Sequence, residues 1–174
     1  TRLIFVFCIA LFISGCDEAP EDEKYVHKID WSNNLPKSQK FQSYKSVFTY
    51  LPIYSEVYSK TNEDTKSLTA TVSIHNMNLF DSLYIMKANY FNSYGILVRE
   101  YIKDPIFLRP METTDIVIYE MDVTGGPGAN FLIEWKKTDS LFNPPLVEGV
   151  MISTQGQQGI SFTTRGVNLN PPSN

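Results

Sequence analysis

Few side chains in this chain could do chemistry, and each comes in a spacing that can be weighed. His75-Asn76-Met77 places an imidazole and a thioether two residues apart, with Met86 ten intervening residues after His75. Both ligand types suit Cu(I), so soft-metal handling is one chemistry on offer. A second His-x-Met, which such a site would use, is absent from the sequence. Glu148 sits in the apolar run Leu146–Ser153, where strict alternation about Leu146 and Val150 would bury it. A buried carboxylate would be a candidate acid and a route to hydrolysis; a bulge at Gly149 would instead turn it to solvent. No second carboxylate stands at an obvious spacing for glycoside chemistry. Thr124-Gly125-Gly126-Pro127-Gly128-Ala129-Asn130 invites a phosphate-loop reading, but the Lys-Ser/Thr of a nucleotide loop is missing and no helical pattern follows. It reads as a hairpin turn that uses glycine for positive φ. A Ser-His-acid triad has only His27 and His75 to draw on, and Gly-x-Ser-x-Gly does not occur. No catalytic motif is found, and no cofactor is expected.

The remaining reactive residue is Cys16. Leu3 to Ile13 form eleven consecutive apolar residues behind Arg2. As a helix they would span about 16 Å, roughly half of a ~30 Å hydrocarbon core. This is the h-region of a secretory signal rather than a transmembrane helix. The sequence begins without methionine, so Arg2 is read as part of a longer n-region. Ile13-Ser14-Gly15-Cys16 resembles the bacterial lipobox, and the resemblance implies cleavage before Cys16 and acylation of its thiol. Residues 1–15 would then be a signal peptide. Cys8 leaves with it and Cys16 carries lipid, so no thiol is left for a disulfide, a zinc–thiolate centre or an iron–sulfur cluster. The expected setting is a cell membrane or outer membrane, with the domain in the periplasm or on the cell surface.

Composition sets the frame around these residues. With 43% hydrophobic and 20% charged residues in 174, the chain has the material for one globular domain. A net charge of −4 gives no basic footprint for nucleic acid. The charge is uneven: Asp17 to Asp30 hold six acids against two lysines, whereas residues 31–174 are nearly neutral. Residues 16–45 are therefore read as an acidic tether, disordered over Asp17 to Lys24. Tyr25, Val26, Ile29 and Trp31 give it an apolar set able to dock as an edge segment. Asp17-Glu18 fits an inner-membrane retention signal, a surface-export signal or a solvated spacer.

Beyond Ser46 the apolar period is two, not 3.6. Leu68, Ala70, Val72 and Ile74 alternate with Thr69, Thr71, Ser73 and His75. Eight runs behave this way: Val47–Ile53, Leu68–Asn76, Leu83–Phe91, Ile96–Ile102, Thr114–Asp122, Ala129–Lys136, Leu146–Ser153 and Gly159–Thr163. Turn-type clusters separate them. The pattern predicts an all-β, antiparallel immunoglobulin-like β-sandwich of seven or eight strands over residues 46–166, with 167–174 as a tail. Phe131, Ile133 and Trp135 share one face and should lie at its centre. Pro52 demotes the end of the first run to an edge or a bulge.

Alternation also predicts where the loops gather. Consecutive antiparallel strands would put Asn62–Asp64, Asn92–Gly95, Thr124–Asn130 and Gln155–Gly159 at one pole, here the glycine pole. The prolines near 105, 110 and 144, together with both chain ends, would mark the other. The glycine pole should then face away from the membrane. Asp122, Thr124, Asn130, Gln155, Gln157 and Gln158 form a candidate binding surface there, rich in uncharged donors and acceptors. Such a surface suits a protein or glycan partner better than a phosphate; turn-making glycines capped by amides would look the same.

Residues 46 to 166 resemble a family of small bacterial lipoproteins catalogued as domain of unknown function 3124. The resemblance rests on Tyr50-Leu51-Pro52-Ile53-Tyr54-Ser55, on Leu68-Thr69-Ala70-Thr71-Val72-Ser73-Ile74, on Gly125-Gly126-Pro127-Gly128-Ala129-Asn130-Phe131 and on Gln157-Gln158-Gly159-Ile160-Ser161-Phe162. It implies a single extracytoplasmic domain and brings no reaction with it.

Overall fold

A computed structural model describes residues 26–137, 142–156 and 159–169. Cys16, Gln157 and Gln158, and the acidic stretch before Lys24, lie outside the described residues. Twelve strands run through the described residues: β1 (Lys45–Pro52), β2 (Glu56–Tyr58), β3 (Thr65–Ser67), β4 (Thr69–His75), β5 (Leu83–Phe91), β6 (Leu97–Ile102), β7 (Ile106–Leu108), β8 (Thr113–Ile118), β9 (Asn130–Lys137), β10 (Leu146–Ser153), β11 (Ile160–Arg165) and β12 (Val167–Leu169). Each of the eight expected runs contains a strand, though that over Thr114–Asp122 ends at Ile118. β2, β3, β7 and β12 are three residues each, too short to display a period.

The fold is all-β and antiparallel, and its sheets do not close into a barrel. One sheet has the order β12-β1-β9-β5-β6, with β7 also on β5; the other runs β11-β10-β4-β8; β2 and β3 form a separate hairpin. The two larger sheets share one core. Leu68, just before β4, and Ala70, Val72 and Ile74 within it share this core with Ile85, Ala88, Phe131 and Ile133 of the other sheet, all fully buried. Burial of each large aliphatic side chain contributes about 1.5–3 kcal/mol. Trp135, 1% exposed, sits at the centre as expected, its indole N–H donating to Thr49 Oγ1 at 3.0 Å. Without that partner the buried indole nitrogen would be a cost.

Both seams between the sheets are crossed by chain. On one side β11 leaves its sheet at Gly166 and continues as β12 in the other, pairing with Phe48–Tyr50 of β1. A Cβ at Gly166 would lie 2.7 Å from Thr49 Cγ2, so the crossing requires glycine. Ordered sheet therefore extends through Leu169, past the expected boundary at 166. Pro52 ends β1 where β12 no longer reaches it, and its carbonyl accepts from Thr164 Oγ1 at 2.7 Å. On the other seam the N-terminal segment docks. Val26 bridges Ile118, Val117 N–H donates to His27 Nδ1 at 3.1 Å, and Ile29 and Trp31 pack on the core. This covers part of the β8 edge, which would otherwise be open to pairing. The segment then reaches β7, where Asn34 Nδ2 donates to Phe107 O at 2.8 Å.

The direction of that segment corrects the expected point of entry. Val26 lies beside Ile118, at the glycine end of β8, and residues 26–34 run from there toward the proline pole. The chain thus enters the domain at the glycine pole, not at the proline pole.

Glu148 needs a second correction. Its strand alternates without a bulge, but with the opposite parity: Val147, Gly149, Met151 and Ser153 point inward. A Cβ on Gly149 would meet Ile53 Cδ1 at 2.7 Å, so the inward position there carries no side chain. Glu148 is half-exposed on the outer face, between Ser73 and Arg165 in register.

Candidate functional site

The glycine pole is assembled from the β5–β6 hairpin, the β8–β9 connection and the β10–β11 hairpin. β5 and β6 place Tyr90 opposite Arg99. The β8–β9 connection passes from one sheet to the other, so Thr124–Asn130 is a crossover and not the hairpin turn expected of it. It begins with a turn closed by Asp122 N–H on Tyr119 O at 2.8 Å.

Asp122 is the hub. Its Oδ1 accepts from Thr124 N at 3.2 Å and from Thr124 Oγ1 at 2.5 Å; its Oδ2 accepts from Arg99 Nη1 at 2.7 Å. The side chains are 17% and 4% exposed for Arg99 and Asp122, so the ion pair is largely removed from water. Arg99 Nη1 also donates to Tyr101 Oη at 3.0 Å, and the guanidinium lies 5.5 Å from the Tyr101 ring centroid. Burial works against the Arg99 charge, yet Asp122 and Tyr101 outweigh it and raise its pKa. Burial pushes both the Tyr90 and the Tyr101 phenols above the ordinary range, so both stay neutral at neutral pH. Asp122 is thus a brace with its acceptors spent, and Thr124 is part of the same brace.

The glycine-rich stretch is packed rather than open. A Cβ at Gly125 would stand 1.7 Å from Tyr90 Oη, and Gly126 has φ +72°. Ser93 clamps the loop: its N–H and Oγ both donate to Gly125 O, at 3.0 and 3.1 Å, and its Oγ accepts from Gly128 N at 2.8 Å. Gly126 N–H donates to Val123 O, and Ser55 Oγ donates to Gly126 O. A phosphate cradle presents free amides; the Gly126 and Gly128 amides are already committed to Val123 O and Ser93 Oγ.

The remaining surface candidates share this pole without forming one cluster. Asn130 opens β9, half-buried between Pro52 and Phe91. Gln155 is exposed and donates to Glu120 Oε1 at 2.7 Å, so its hairpin meets the β8–β9 connection at Glu120 rather than at Gly125–Asn130. Among the side chains the pole turns outward are apolar ones: Tyr94 and Ile96 on the β5–β6 loop with Leu97 opening β6, and Met121 and Val123 on the β8–β9 connection. Sequence reasoning missed these five and also Arg99. The alternation that would have flagged Met121 and Val123 was absorbed into a strand ending at Asp122, whereas β8 stops at Ile118.

The soft-metal candidates are divided. His75 lies on the outer face of β4, its Nδ1 2.8 Å from Thr113 Oγ1, with Met77 39% exposed just beyond. Met86 lies on the outer side of the other sheet, at the irregularity between Ile85 and Lys87. The core separates it from His75. Among the described residues no group of three or more His, Cys, Asp or Glu is arranged to hold a metal ion.

No match to a curated protein sequence was found. Among solved structures, a crystal structure of Thermotoga maritima 1070 aligns with 71% of this chain and 93% of that one, at 11% identity and a TM-score of 0.44. A sequence model of a family described as a protein of unknown function, DUF3124, matches residues 46–169. That match takes in every strand from β2 to β12 and nearly all of β1, and the chain belongs to this family.

Proposed function

We propose that the chain is a lipid-anchored extracytoplasmic binding module, attached through Cys16 and built on an immunoglobulin-like arrangement of two sheets. The observation that carries this reading is the point of chain entry. The lipobox-like Ile13-Ser14-Gly15-Cys16 is separated by nine residues from Val26, which is fixed beside Ile118. An anchor at Cys16 therefore feeds directly into the pole whose loops are braced from within by Arg99–Asp122 and Ser93–Gly125. Braced loops on a rigid scaffold suit recognition by surface contact. Asn130 and Gln155 add neutral donors and acceptors at the margin, and Asp122 and Thr124 hold the shape.

Mass spectrometry of the protein isolated from its native membrane tests the anchor. Acyl chains on Cys16 with residues 1–15 removed are expected, and Cys16→Ala should leave the membrane fraction. An unmodified, soluble product retaining residues 1–15 overturns the reading.

A further inference from the structure

We propose that the glycine pole docks on the bilayer that carries the anchor, with Tyr94, Ile96, Met121 and Val123 seated among the lipid headgroups. The proposal rests on the lipid-anchored reading above and names the partner of that same pole. Three observations carry it.

The first is reach. Ten residue steps from Cys16 to Val26 span at most about 35 Å when fully extended. A strand the length of β1, eight residues, is about 27 Å long. The opposite pole could meet the membrane only with the linker drawn nearly straight along the domain. The glycine pole meets it with length to spare.

The second is what that pole exposes. Tyr94 is 87% exposed, Met121 66%, Ile96 62% and Val123 44%, on adjacent loops tied by Ser93 to Gly125 and by Arg99 to Asp122. A cluster of exposed apolar side chains on a fixed surface marks an interaction site. A tyrosine with aliphatic neighbours is a composition found at membrane–water interfaces.

The third is the treatment of charge. Asp122, between Met121 and Val123, is turned inward and neutralised by Arg99. Glu120 is half-buried and accepts from Gln155. The carboxylate between the two apolar tips is thus drawn inward, as insertion among lipids requires, and that of Glu120 is met by a neutral amide. The neighbouring β2–β3 turn carries Lys60, Glu63 and Asp64, mixed charges compatible with headgroups. The opposite pole also shows apolar residues, Leu79 and Phe80 among them; the anchor's place of entry decides between the two.

The test uses the acylated full-length protein in phosphatidylcholine vesicles containing a shallow spin-labelled lipid quencher. Single variants Met121→Cys, Val123→Cys and Phe80→Cys are labelled with bimane, Cys16 being blocked by its acyl chains. Labels at 121 and 123 are expected to lose most of their fluorescence, and the label at 80 to keep it. Quenching at 80 alone, or at none of the three sites in protein that floats with the vesicles, overturns the docking but leaves the anchor standing. The second pattern would point to a protein or glycan at this pole instead. Failure to find acyl groups on Cys16 overturns the anchor and the docking together.

Discussion

The two ends of the domain solve one problem in different ways. Each presents exposed apolar side chains on a loop that must not collapse. The glycine pole holds its loops with an ion pair and with close packing at Gly125. The opposite pole relies on buried neutral amides, its Arg109–Glu112 ion pair lying at the surface. Asn76 Nδ2 reaches the carbonyls of Asp81, Leu108 and Arg109 at 2.8, 3.2 and 2.9 Å, while its Oδ1 accepts from Asn78 N and Nδ2. Asn78 in turn donates to Asn143 O and accepts from Asn143 N. An amide brings its own donor and acceptor and needs no counter-charge. A buried carboxylate depends on its partner, so the glycine pole has the larger single-residue vulnerability.

Asp122→Ala should therefore be the most damaging single change. It takes the carboxylate partner from a largely buried Arg99 and uncaps the Thr124 turn, a loss on the order of 3 kcal/mol in urea denaturation. Asn76→Ala at the other pole leaves buried carbonyls and the Asn78 amide without their partner and should cost about 2 kcal/mol. If the amide variant proves the worse of the two, the ranking of charged over neutral bracing is wrong. Gly125→Ala, forced against Tyr90, should cost about 1–3 kcal/mol. Phe80→Ser should change stability by less than about 0.5 kcal/mol, since the side chain is 89% exposed.

Acid should sharpen the comparison from another side. Burial would raise the Glu112 pKa, but hydrogen bonds from Arg109 N–H and Asn34, with the Arg109 charge, hold it below the usual 4.5. A depressed folded-state pKa contributes stability at pH above the unfolded value, and that contribution is lost as pH falls through the folded value. Below about pH 4.5 the Asn34–Glu112 contact should weaken, loosening the N-terminal segment before the sheets. Trp31 emission should report this step, and Glu112→Gln should remove it.

The strands with long alternation were legible from sequence, because β4 and β9 each carry a clean inward set and β5 does so on either side of its irregularity between Ile85 and Lys87. Parity failed in β10, where apolar residues stand on both faces and the inward Gly149 leaves no side chain to reveal the phase. The partnership of Arg99 with Asp122 had no local signal, since 23 residues separate them and each lies beside ordinary strand or turn residues. Val26, Ile29 and Trp31 announced that the N-terminal segment could dock. Its direction along β8 depended on tertiary pairing, and that direction moved the point of entry from the proline pole to the glycine pole.

The central claim is that the chain enters the domain beside Ile118, at the glycine pole. NMR on the chain carrying Cys16→Ser tests this most directly. Cross-strand contacts between Val26 and Ile118, and contacts between the His27 and Tyr119 rings, whose centroids lie 6.3 Å apart, are predicted. Absence of both sets, with Val117 exchanging its amide proton at an unprotected rate, would contradict the account.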